Sequence, residues 1–221
     1  EDVFERTALP LVRYQSVLEN LTAPPGYDRI KQLIDRGVGV VLGLLSLVIY
    51  PVVSLLIKID DGGPVFVVQE RIGQYKRKIK ILKFRSMSGN DGGNYGPGGK
   101  TKLKVTRLGK WLRLSRIDEL PQLWNIIKGD ISFVGPRPEL PALVGQYSSR
   151  IPFYDARHLV KPGLTGWAQM NHHAHPHGGA DVEETKNKLA YDLYYLKHRS
   201  LALDLYIMFQ TARVVLLERG S

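Results

Sequence analysis

The sequence predicts a helix-rich α+β fold in which a single domain follows an apolar helix broken by a proline. Three observations carry this. Residues 37–57 form a run of 21 positions without a charge. Short alternating segments at 65–68, 80–85 and 131–134 read as strands. From Leu108 onward helical signals dominate, ending in a helix over 183–217 that is interrupted near Arg199-Ser200. The 221 residues, 43% of them hydrophobic, suffice for one domain with a sizeable core.

Residues 1–28 read as an extension or linker. They show no basic start followed by an apolar run, and they close on the breaker Ala23-Pro24-Pro25-Gly26. Residues 29–58 form the apolar helix region, with Arg29, Lys31 and Arg36 ahead of the uncharged run and Lys58 behind it. As a helix that run would be about 30 Å long, enough for a bilayer core. A buried helix of a soluble domain is the alternative, but it usually has a shorter run with polar punctuation. Pro51 removes a backbone donor and collides with the Leu47 carbonyl, so the helix is expected to kink or to bend back. The Ser46 and Ser54 hydroxyls are at hand for the freed groups. Basic flanks on both sides leave a crossing direction open and agree with a re-entrant hairpin.

Residues 59–221 make up the domain proper. The turn Asp60-Asp61-Gly62-Gly63-Pro64 precedes the first strand. Residues 88–99 hold six glycines and one proline in twelve positions, a flexible loop suited to a lid. A new helix start is read at Ser115. The last stretch, 201–217, carries Asp204 and Arg213 in an otherwise apolar sequence and is expected in a membrane interface rather than the core.

Charge narrows the chemistry. The formal net charge is +10, and residues 71–116 hold fourteen Lys/Arg against one acidic residue, Asp91. Such a segment attracts phosphates of nucleic acid, nucleotides or anionic lipid. With no cysteine, a disulfide framework and a thiolate metal site are excluded.

In that basic setting stands Ser115-Arg116-Ile117-Asp118-Glu119-Leu120-Pro121. One reading is a helix start capped by Ser115; the other is a carboxylate nucleophile beside a carboxylate able to bind a divalent cation. The two are compatible, because a helix N-terminus favours anions. A carboxylate can attack phosphorus and split one transfer into two steps, provided cations offset its repulsion from phosphate. Lys83 and Arg85 before the dyad, Arg113 and Arg116 around it, and Arg137 between two prolines are the candidates.

Four long motifs appear in order: Lys83-Phe84-Arg85-Ser86-Met87; Leu112-Arg113 with Asp118-Glu119-Leu120-Pro121-Gln122-Leu123-Trp124-Asn125; Gly129-Asp130-Ile131-Ser132-Phe133-Val134-Gly135-Pro136-Arg137-Pro138-Glu139; and Pro162-Gly163-Leu164-Thr165-Gly166-Trp167-Ala168-Gln169. Together the chain from about Tyr27 resembles the bacterial sugar transferase family, the monotopic polyprenyl-phosphate phosphoglycosyl transferases. Its ending, with Tyr191-Asp192-Leu193-Tyr194-Tyr195 and Leu203-Asp204-Leu205, is similar to members that make exopolysaccharide or O-antigen lipid-linked sugars.

The resemblance implies a re-entrant membrane helix broken at Pro51, with the domain on the cytoplasmic face of a bacterial inner membrane. It implies that Asp118 takes the sugar phosphate from a UDP-sugar with release of UMP, and that a polyprenyl (undecaprenyl) phosphate then accepts it. It further implies Mg²⁺ with Glu119 as its ligand, and phosphate binding by Lys83, Arg113 and Arg137; Arg85 is added on charge and position. Two departures stand out. Tyr50 precedes Pro51 where the family often has serine, and His172-His173-Ala174-His175-Pro176-His177 replaces an expected short polar stretch. Those histidines read as a solvated loop, a transition-metal site or part of the sugar selection.

A peripheral module that captures nucleic acid or anionic lipid is the competing class. It leaves Asp118-Glu119 without a role and lacks the aromatic interleaving of a single-strand binder, so no nucleic-acid partner is expected. A single-span protein with the same activity is the third reading. The sugar and the oligomeric state, a homo-oligomer included, stay open.

Overall fold

A computed structural model describes residues 23–89, 101–171 and 182–217. The chain enters α1 (Tyr27–Ser46) from Gly26, whose left-handed backbone sets the turn. Helix α2 (Ile49–Asp60) follows at an angle of 57°. No single helix among the described residues is long and apolar enough to cross a membrane; α1 and α2 meet that requirement only as a bent pair. The break falls at Leu47-Val48, one turn before the proline. Pro51 is the third residue of α2, where an N–H has no intrahelical partner and its loss costs nothing. The strain falls instead on the Leu47 carbonyl, and the helix opens there. The Ser46 hydroxyl donates to the Gly43 carbonyl at 2.7 Å and so closes α1.

Gly39 and Gly43 let α1 lie close to the domain. A Cβ on either would stand 3.3–3.4 Å from the Ile127 side chain. The base of α1 is fixed by a buried polar cluster. Asp204 Oδ2 accepts from Tyr27 (2.8 Å) and Lys31 (2.7 Å), and its Oδ1 accepts from the Tyr195 hydroxyl at 2.8 Å. The foot of α2 is fixed by packing: Val53 and Ile57 are buried against Phe84 and Leu112, with Tyr50 edge-on to Phe84.

Among the described residues the strands form three two-stranded sheets. Antiparallel β1 (Phe66–Ile72) and β2 (Lys78–Phe84) run from the pair Phe66–Phe84 to Ile72–Lys78. The short strands β3 (Met87–Ser88) and β4 (Lys104–Val105) pair antiparallel before α3 (Arg107–Leu114), whose N-cap Thr106 accepts from Gly109 N at 2.9 Å. Helix α4 (Gln122–Lys128) sits on β2 through Asn125, which accepts from Leu82 N (3.0 Å) and donates to Lys80 O (2.7 Å). The asparagine amide thus pairs with the strand edge as a further strand would. Strand β5 (Ser132–Val134) runs parallel to β6 (Gly163–Thr165), with α5 (Pro141–Ser148) and a 3-10 segment (Tyr154–Leu159) between them. Short α6 (Trp167–Asn171), then α7 (Val182–His198) and α8 (Leu201–Leu217), complete the domain.

The main core joins α4, β5, α7 and α8 through Leu123, Ile126, Phe133, Leu196 and Ile207. Helix α8 differs from its sequence expectation on one side. Asp204 and Ile207 are buried and Thr211 bonds Thr165, so one face packs in the core. The opposite face exposes Leu205, Tyr206 and Phe209. Strands β1, β2 and β5 and the α7/α8 interruption fall close to where the sequence placed them, whereas β3, β4 and β6 carry no pattern that marked them as strands.

Candidate active site

The helix start read at Ser115 is not there. Ser115 ends α3, and its hydroxyl donates back to the Trp111 (2.9 Å) and Leu112 (3.1 Å) carbonyls. Arg116 then adopts a left-handed backbone, φ 57°, and turns the chain into a single 3-10 turn, Ile117–Glu119. Asp118 and Glu119 therefore lie on a tight bend between α3 and α4. The Glu119 and Leu120 N–H groups are committed to the Arg116 and Ile117 carbonyls, so they do not present the free helix terminus that the sequence suggested.

Cations converge on this bend from three elements. Lys83 reaches in from β2 and Arg137 from the loop after β5; both bind Glu119 Oε1, at 3.1 and 3.2 Å. Arg116 lies 3.8 Å from Glu119 Oε2. Among the described hydrogen bonds and ion pairs, those of the dyad all fall on Glu119. The electrostatics follow. Burial raises the Glu119 carboxyl, but Arg137, Lys83 and Arg116 outweigh it and hold it down at about 2. Asp118 goes the other way. Burial, then the adjacent Glu119 charge, push it up to about 6 against the weaker pull of Lys83, Arg113 and Arg116. One carboxylate is fixed as an anion among cations; its neighbour is desolvated and under-compensated. A carboxylate in that state is a candidate for the chemistry of the site.

The loop carrying Arg137 rests on glycines. A Cβ on Gly163 would stand 2.1 Å from Gly135 N, and one on Gly166 2.3 Å from Gly135 O. The motifs around Gly135 and Gly163 are thus one object: two backbones in direct contact, joined by Gly135 N–H to Thr165 O and Gly163 N–H to Pro136 O, both 2.9 Å.

The structure brings Asp118, Glu119, Lys83 and Arg137 together and places Arg113 within electrostatic reach of Asp118. Arg85 departs from the sequence reading. It pairs with Asp61, at 2.9 Å from Nε and 2.8 Å from Nη2, and lies over Gly63. Alternation puts positions 83 and 85 on one face only while the strand lasts, and β2 ends at Phe84. Pro51 stands at the head of α2, whose foot packs against Phe84 and Leu112, the neighbours of Lys83 and Arg113 in the chain. The cluster at His172–His177 lies outside the described residues. Sequence reasoning missed Asp61 as the Arg85 partner, and it missed Arg157 and Asp192, a buried pair 35 positions apart with no local pattern to mark it.

Among the described residues no group of three or more His, Asp or Glu side chains could hold a metal ion. Magnesium shared with substrate phosphates needs only one or two carboxylates, since water and phosphate oxygens complete its shell. The dyad meets that requirement: Glu119 is anionic, and its Oε2 is engaged less closely than its Oε1.

The site is thus two carboxylates among several cations, with the foot of an apolar bent helix pair packed beside it. The profile of the bacterial sugar transferase family matches residues 26–218, and the chain belongs to that family. It is 40% identical, over 94% of its own length and 48% of the relative's, to an undecaprenyl-phosphate N-acetylgalactosaminephosphotransferase of Aeromonas hydrophila that uses UDP-N-acetylgalactosamine. It is 37% identical to a UDP-glucose:undecaprenyl-phosphate glucose-1-phosphate transferase of Escherichia coli (strain K12), over 85% of this chain and 42% of that one. A Caulobacter vibrioides protein of the same description is 38% identical over 83% of this chain and 68% of its own. The chain spans about half the length, or less, of the first two.

Proposed function

We propose that this chain transfers a sugar phosphate from a UDP-sugar to a polyprenyl phosphate at the cytoplasmic face of a bacterial inner membrane. The observation that carries the proposal is the dyad's geometry, a buried Asp118 beside a Glu119 held by Lys83 and Arg137 at 3.1 and 3.2 Å. The Asp118 carboxylate attacks the phosphorus that bears the sugar. The bond from that phosphorus to the UMP oxygen breaks, its electron pair leaves with UMP, and an aspartyl phosphosugar forms. A phosphate oxygen of the lipid then attacks the same phosphorus, returns Asp118 as a carboxylate and yields the lipid diphosphate sugar. Lys83, Arg113 and Arg137 hold the phosphate oxygens and offset the charge that repels Asp118. Glu119 is the residue that would hold Mg²⁺, and the ion would neutralise the diphosphate.

The bent helix pair delivers the lipid. Its two ends are attached to one domain: Tyr27 and Lys31 to Asp204, and Asp61 to Arg85. Val48, Leu33 and Ile59 on the pair are each more than 70% exposed, an apolar surface that suits hydrocarbon. These features support a re-entrant helix that enters and leaves on the same face, with exposed Trp111, Leu114 and Phe209 at the interface. Cysteines engineered at Arg29 and Asp60 should both label from the cytoplasmic side; labelling from opposite sides would establish a spanning helix.

Purified protein with Mg²⁺, undecaprenyl phosphate and a panel of UDP-sugars should release UMP with at least one of them. Absence of UMP with every member of the panel would refute the activity. Attack requires the Asp118 anion, so kcat/KM should fall as the pH drops below about 6, the value to which burial raises that carboxyl. A pH profile flat from 8 to about 5 would contradict the assignment.

A further inference from the structure

The segment Gly135-Pro136-Arg137-Pro138-Glu139 brings Arg137 to Glu119, yet two of its residues are prolines without an N–H. Its main chain is gripped largely by the carbonyls. Gly163 N donates to Pro136 O at 2.9 Å and Ile72 N to Glu139 O at 2.9 Å. Arg71 Nη1 donates to Pro138 O at 3.5 Å. The Arg137 carbonyl accepts from Arg157 Nη2 at 3.0 Å. Arg157 comes from the 3-10 segment before β6 and is only 3% exposed. Its other donors are fixed as well. Nε and Nη2 lie 2.9 and 2.8 Å from Asp192 Oδ2, and Nη1 donates to the Tyr154 hydroxyl at 2.9 Å.

A guanidinium is a rigid planar fork of five donors. With Asp192 and Tyr154 holding two edges, the donor aimed at Arg137 has a set direction. A buried ion pair of this kind stabilises a fold little compared with well-packed apolar side chains. Its location, directly behind a residue that touches the dyad, gives it another use. We propose that Arg157 is a positioning residue for the transfer reaction, holding the Arg137 carbonyl so that the Arg137 guanidinium stays against Glu119. The inference rests on the transferase reading above.

Lysine at position 157 keeps a charge for Asp192 but cannot reach Asp192, Tyr154 and the Arg137 carbonyl together. Arg157→Lys and the milder Tyr154→Phe are compared with wild type in kcat and KM of UMP release, each alone and in an Arg137→Lys background. Single-turnover formation of the protein–phosphosugar adduct extends the measurement to slow variants. Met208→Ala, a substitution on α8 packed against the main core and outside the cluster that holds Tyr154, serves as a control for lost stability. Arg157→Lys should lower kcat about ten- to a hundredfold, Tyr154→Phe less, with KM for undecaprenyl phosphate unchanged. In the Arg137→Lys background the same changes should cost less than about threefold, because the group they position is already altered. Met208→Ala should leave kcat unchanged below its melting temperature. Equal losses in both backgrounds, or a folded Arg157→Lys with wild-type kcat, would overturn the inference. If Arg157→Lys does not fold, Tyr154→Phe decides by the same comparison. Failure of wild type to release UMP would count against the reaction itself.

Discussion

Asp118→Asn is expected to abolish UMP release and at the same time to raise the melting temperature. The two effects share one cause. In the folded chain the Asp118 carboxyl titrates at about 6, against an ordinary value of 3.8. A folded-state value above the unfolded one means that the native protein binds this proton more readily, so ionising the group costs stability. The cost is absent at low pH, grows as the pH rises through the interval between the two values, and is complete above about 6, where it amounts to about 2–3 kcal/mol. Asparagine has the same shape without the charge, so the fold should gain most of that sum, several degrees for a chain of this size. Glu119→Gln should behave oppositely. Glu119 titrates at about 2 in the fold against 4.5 outside it. Its stabilisation is present above 4.5 and is lost as the pH falls toward 2, so removing its charge at neutral pH leaves Lys83 and Arg137 facing each other and lowers the melting temperature. Calorimetry of both variants at pH 7.5 checks the pair of signs. A fall in stability for Asp118→Asn would contradict the under-compensated state assigned to it.

Gly163→Ala is expected to be among the most damaging single methyl groups in the domain. Its Cβ would lie 2.1 Å from Gly135 N and 2.4 Å from Thr165 O, both main-chain atoms that no rotamer change can move. Relief requires β6 to shift away from the Gly135 loop, breaking the bond to Pro136 O and displacing Arg137. A loss of about 3 kcal/mol or more is expected, together with a fall in turnover measured below the melting temperature. Gly145→Ala gives the contrast. That glycine lies inside α5 with open space where its Cβ would be, so alanine should stabilise by about 0.5–1 kcal/mol with activity unchanged. Equal behaviour of the two variants would remove the close backbone contact from the account.

The apolar run, strands β1, β2 and β5 and the long terminal helices were legible because each rests on a local pattern: absence of charge, alternation, or helical spacing. Lys83, Asp118, Glu119 and Arg137 were legible as a set through motifs and charge, although they come from three separate elements. What escaped was decided by the backbone between patterns. Ser115 has the look of an N-cap, but the left-handed Arg116 makes it the end of one helix rather than the start of the next. Pro51 marks the break without sitting on it, because its ring acts on the carbonyl four residues back. Arg85 shares a motif with Lys83 and yet turns to Asp61, since its strand has ended. Arg157 and Asp192 meet only through the tertiary fold, and no spacing announces such a pair.

Asp118 as nucleophile is the centre of this account. Intact-protein mass spectrometry after mixing with a UDP-sugar and Mg²⁺, in the absence of a lipid acceptor, tests it most directly. The protein should gain the mass of one sugar phosphate on the peptide that holds Asp118, lose it when undecaprenyl phosphate is added, and show no gain in Asp118→Asn. Transfer to the lipid by Asp118→Asn at the wild-type rate, or an adduct mapped to another residue, would contradict it.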